Sequence, residues 1–95
     1  MNMTEFVNAM METIPNPETL RQEMVQKCVE KIVVNLRENG RATMEWDSSY
    51  SSRAICLQIS KRVKEIFDGS GYHTYYQENS ENNHRCYCWL NVALP

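Results

Sequence analysis

The chain is short of most features that would announce a function. It has no apolar run long enough to span a bilayer, and its N-terminus, "MNMTEFVNAMMETIPNP", lacks the basic start and long apolar core of a secretion signal. The expected location is the cytoplasm, where its thiols stay reduced. Charge of one sign is missing too. A net −2 is too weakly acidic for a whole-molecule DNA mimic and lacks the basic excess of a dedicated DNA binder. There is no Cys-x-x-Cys, no glycine-rich phosphate fingerprint, no carboxylate pair at a recognisable acid–base spacing, and no internal repeat. These absences argue against an enzyme and against a resident cofactor.

What is present is an ordinary globular composition, 42% hydrophobic and 23% charged, in 95 residues. That length makes one domain, residues 1–95, which buries roughly 60–65% of the surface its unfolded chain exposes. It can fold without metal or disulfide staples.

Local patterning predicts six elements. Thr4 is placed to cap a first helix carrying Phe6, Met10 and Ile14 on one stripe, and Pro15 and Pro17 end it. Asn16 caps a second helix with Pro17 at its first position and Glu18 in its first turn. Leu20, Met24, Cys28, Ile32 and Leu36, flanked by Val25, Val29 and Val33, give it a wide buried face, and Gly40 stops it. "RATMEWD" then alternates as a half-buried strand with Ala42, Met44 and Trp46 on one side. A third helix starts near Ser51 or Ser52. Ile55, Ile59, Val63 and Ile66 or Phe67 face inward with Cys56 beside them, and "DGSG" turns it off. "YHTYYQ", "ENSENNH" and "RCYCWLNVAL" read as a β-hairpin. The expected fold is α+β, order ααβαββ: a three-stranded mixed sheet with helices packed on one face, the strand–helix–strand part crossing over to a parallel neighbour.

The densest chemistry lies in "HRCYCWL". His84, Cys86 and Cys88, with His73 opposite, could form a metal set. A Cys-x-Cys pair on an extended strand, however, holds its sulfurs too far apart, since zinc sites use a turn of two to four residues between cysteines. No group is identifiable to orient His84 towards a reactive thiol. Period two instead divides the stretch. Cys86, Cys88, Leu90 and Val92 make an inward face, where reduced cysteine behaves as a small hydrophobe, and Tyr87 and Trp89 point the other way. If the helices cover the cysteine side, Tyr87 and Trp89, with Tyr72, Tyr75 and Tyr76 of the preceding strand and Glu78 and Glu81 at the loop rim, form an exposed partner-binding patch. The first helix folded over this face would hide it, and a second copy could cover it as a homodimer seam.

A second candidate is "SYSSR". Ser49, Tyr50, Ser51, Ser52 and Arg53 precede the third helix, where backbone N–H groups can hold an anion, and Tyr50 could stack on a nucleotide, with Lys61 and Arg62 in support. Ordinary helix capping by Ser51 or Ser52 explains the same serines.

With its small size, its "RVKEIFDGSGYHTYYQ" helix-to-strand unit and its aromatic hairpin free of catalytic motifs, the chain resembles the small single-domain proteins that bacteriophages encode as accessory or host-takeover factors, including anti-CRISPR-like inhibitors of bacterial defence. That resemblance spans most of the chain and implies a stoichiometric inhibitor of a host protein. It assigns no individual residue a role. A nucleic-acid partner is the less favoured expectation, and none is expected in the membrane.

Overall fold

The computed structural model describes residues 2–49, 53–79 and 85–95, with the side chains of residues 47–49, 53, 79, 85 and 86 left aside. Its elements are α1 (Met3–Thr13), α2 (Pro17–Asn39), β1 (Arg41–Ser49), α3 (Arg53–Gly69), β2 (His73–Asn79) and β3 (Arg85–Ala93). The order is the ααβαββ that the patterning predicts, and the class is α+β.

Capping chemistry sets the helix limits. The Asn16 side chain accepts from the backbone N–H groups of Glu18 and Thr19, Pro17 opens α2, and Gly40 closes it at φ 73° in the left-handed region. At the first helix Asn2, not Thr4, is the cap. Its Oδ1 accepts from the Glu5 N–H at 2.8 Å. An amide two residues upstream therefore starts the helix before the expected hydroxyl.

The sheet is antiparallel, not mixed. Its order is β1-β3-β2, so β3 lies between the two strands expected to be neighbours and pairs antiparallel with both. β1 and β2 run in the same direction but are separated by one strand, a split β–α–β arrangement. The physical reason lies in β3 itself. Cys88, Leu90 and Val92 have no exposed surface, and the middle of a sheet is where a strand's apolar side chains are flanked on both sides.

The inner layer joins Ile32 and Leu36 of α2, Ile59, Val63 and Phe67 of α3, and Ala42, Leu90 and Val92 of the sheet. Cys56 and Cys88 extend it, with Trp46, Leu57 and Tyr76 packed around them. α2 sits on this core from Val25 onwards. Leu20 and Met24, expected to be buried, are exposed, as is Ile55 at the start of α3. α2 rises about 34 Å over its length, and its first turns overhang the sheet. α1 continues the overhang with no buried residue. The radius of gyration is accordingly 17.1 Å, against about 12 Å for a compact chain of this length.

Ser60, fully buried, is the one polar residue of the core among the described residues. Its hydroxyl proton is shared between the Leu57 carbonyl oxygen at 3.1 Å and the Tyr76 oxygen at 2.9 Å. The Tyr76 hydroxyl donates in turn to Glu78, which pairs with Lys61 at 3.3 Å. Burial pushes the Tyr76 phenol above its ordinary value, the Ser60 hydrogen bond offsetting part of that, so the phenol stays protonated. This chain of contacts ties β2 to α3.

A second tie joins the end of α3 to β2. Asp68 accepts from the Lys64 ammonium at 2.5 Å and from the Thr74 hydroxyl. Those hydrogen bonds, Lys64 first, hold its carboxyl below the usual carboxylate range. A lowered folded-state pKa contributes stability above the unfolded value, and that stability is lost as pH falls through the folded one. Asp68→Asn is therefore expected to lower stability slightly at neutral pH and to flatten the loss of stability below roughly pH 4. The effect is small because the side chain is 41% exposed. Urea unfolding of both proteins between neutral and acid pH checks it; parallel acid limbs would contradict it.

Candidate binding surface

The antiparallel register assigns each strand residue to one of two faces, since directly paired residues point the same way. On the helix-covered face β1 places Ala42, Met44 and Trp46, β3 places Cys88, Leu90 and Val92, and β2 places Thr74, Tyr76 and Glu78. The other face carries Arg41, Thr43 and Glu45 from β1, Tyr87, Trp89, Asn91 and Ala93 from β3, and His73, Tyr75 and Gln77 from β2.

The split predicted for β3 is observed for Cys88, Leu90 and Val92 against Tyr87 and Trp89, while the Cys86 side chain lies outside the described ones. Tyr87 and Trp89 lie on the face away from the helices. They are half-buried by the flanking strands and packed edge to face with ring centroids 5.9 Å apart and planes at 70°. Glu45 and Gln77 flank Trp89 on either side. Tyr75 is the most open aromatic residue of this face, at 59% exposure, and sits across from Asn91. Asn91 is fixed from the other side by the Thr43 hydroxyl, which donates to its Oδ1 at 2.6 Å. The result is an aromatic ridge along the middle and one edge of a small sheet, backed by a rigid core. α1, which could have folded over it, buries no residue.

Three members of the expected patch lie elsewhere. Tyr76 and Glu78 belong to the helix-covered face, held by Ser60 and Lys61. Tyr72 precedes β2 and packs edge to face on Phe67, with centroids 6.0 Å apart, against the core. Tyr75 and Tyr76 are adjacent on one strand, so they cannot share a face, and the sequence alone held that signal. Glu81 lies outside the described residues.

The other candidates fare differently. Tyr50, Ser51 and Ser52 of the serine-rich segment lie outside the described residues. Of its remaining members, Ser49 ends β1 and Arg53 begins α3. Lys61 and Arg62 stand roughly 12 Å further along the helix axis, paired with Glu78 and Glu65 respectively. In the cysteine–histidine set, His73 and Cys88 are on opposite faces of the sheet, so His73 cannot complete a site with Cys88. His84 lies outside the described residues. Among the described residues no group of three His, Cys, Asp or Glu side chains could hold a metal ion, and no helix is long and apolar enough to cross a membrane.

No protein-family model, no curated protein and no solved structure matches the chain.

Proposed function

We propose that the protein is a non-enzymatic binding protein that uses the uncovered sheet face to hold, and thereby block, a bacterial host protein. One observation carries the binding part: Tyr75, Tyr87 and Trp89 share a face that no helix covers. Aromatic side chains supply large contact area at low entropic cost and dominate interface energetics, and a rigid sheet presents them without reorganisation. The charge on that face favours protein over nucleic acid. Its described charged side chains are Arg41 and Glu45, one of each sign, whereas a stacking platform for single strands needs a basic surround to follow the phosphates. The bacterial target and the inhibitory role rest on the resemblance of the sequence to small phage-encoded proteins.

The test is affinity capture from a bacterial lysate treated with nuclease, using the full chain and its Tyr75→Ala variant side by side. The wild type should retain a protein that the variant loses by about fivefold or more, as expected for an interface aromatic worth over 1 kcal/mol. The two chains should melt within a few degrees of each other, because Tyr75 is largely in solvent. Equal capture by both would overturn the assignment of this face. A target lost on nuclease treatment would overturn the choice of a protein partner.

A further inference from the structure

The chain carries two apolar surfaces on its helical side that fit each other yet do not meet. α1 is amphipathic: Met3, Phe6, Val7, Met10, Met11 and Ile14 form a stripe some 140° wide, and Glu5 and Glu12 lie opposite. Phe6 and Met10, neighbours one turn apart on the stripe, are 52% and 51% exposed. Between α2 and α3 runs a groove of about 630 Å³ floored by Val25, Val29, Ile59 and Ile66 and edged by Arg21 and Arg62.

Dimensions match. Eleven residues of α1 rise about 16 Å, and the groove follows α2 from Glu18 to Glu30, about 18 Å. The link between α1 and α2 keeps the helix out of its own groove. Ile14 and Asn16 each precede a proline and hold extended backbone, with ψ 121° and 135°. The helix is thereby carried away from the body, and the molecule reaches 59 Å in its long dimension.

We propose that two copies of the chain exchange their first helices, each α1 lying in the α2–α3 groove of the other molecule. The exchange is reciprocal and closes with two-fold symmetry, as stable soluble dimers do. Area supports it. Covering the outer half of six such side chains removes roughly 400 Å² from each helix and a smaller area from each groove, so two contacts bury on the order of 1,100 Å² in total, above the roughly 1,000 Å² a specific interface has to clear. The groove opens in the helical layer, so the exchange leaves the aromatic sheet face uncovered, and neither proposal depends on the other.

Light scattering coupled to gel filtration tests it on the full chain at micromolar concentration. The wild type should run at twice the chain mass and the Phe6→Asp/Met10→Asp variant at the chain mass. Both substituted positions are exposed, so the circular dichroism of the variant should match the wild type. A monomeric wild type, or a variant that stays dimeric, would overturn the exchange. Isotope-labelled variant is then mixed with excess unlabelled wild type. The labelled chain keeps its groove but has no competent α1 of its own, so methyl signals of Val25, Val29, Ile59 and Ile66 should shift. Unshifted groove methyls would show that α1 pairs elsewhere, with another α1 or with an unrelated surface, and would equally overturn it.

Discussion

Leu90→Ala should destabilise the protein by about 3 kcal/mol, within the 2–5 kcal/mol that a fully buried leucine costs when truncated. Leu90 has no exposed surface, lies in the middle strand, and pairs with Met44 on one side and Tyr76 on the other. Cutting it to alanine leaves a cavity walled by three strands and two helices, which cannot collapse without moving the sheet. A chain of this length has roughly 5–14 kcal/mol of stability in total. At 4–8 °C of melting temperature per kcal/mol, the midpoint should fall by about 15 °C. Thermal and urea unfolding followed by circular dichroism measure this directly. A loss below about 1 kcal/mol would show that β3 is not the centre of the core.

The residue beside it should behave in the opposite way. Trp89→Ala is expected to weaken partner binding about 30-fold or more, the 2 kcal/mol or greater loss that defines an interface hot spot. Its cost to stability should stay at about 1–2 kcal/mol, near half that of Leu90→Ala, from the edge-to-face contact with Tyr87 and the partial cover given by the flanking Glu45 and Gln77 side chains. Calorimetric titration with the captured partner gives the first quantity and thermal unfolding the second. A stability loss as large as that of Leu90→Ala would place Trp89 in the core and remove it from any binding surface. The contrast between two neighbours on one strand is the physical content of the sheet's two faces.

Local signals in the sequence predict the ends of α2 and the two faces of β1 and β3, whereas the Asn2 cap and the opposed faces of Tyr75 and Tyr76, equally local, run against expectation. Asn16, Pro17 and Gly40 set the ends of α2 through capping and backbone geometry. Period two on β1 and β3 separated Ala42, Met44 and Trp46, and Cys88, Leu90 and Val92, from their outward neighbours. The other departures are relational. Nothing in the pattern of β3 states which strands lie beside it, so the sequence predicts a mixed sheet where β3 in fact inserts between β1 and β2. Periodicity reports that a helix has an apolar face but not what that face meets. Leu20, Met24 and Ile55 therefore read as core although each is exposed. Ser60 shows the converse. It stands among Cys56, Ile59, Val63 and Phe67 at core spacing although a hydroxyl carries no apolar signal, and its bond to Tyr76 satisfies the phenol that strand alternation turns inward. The aromatic ridge is legible in the shared parity of Tyr87 and Trp89, but which of Tyr75 and Tyr76 joins them needs the register.

The central claim is that Trp89 lies on an open face that a protein partner covers. Trp46, on the inner face, is the only other tryptophan, so a Trp46→Phe chain leaves Trp89 as the sole indole emitter. Iodide quenching of its fluorescence, with and without the captured partner, then reports the face alone. The account predicts ready quenching of the free protein and strong protection with a blue shift in the complex. Emission that is already blue-shifted and unquenched in the free protein, or quenching unchanged by the partner, would contradict it.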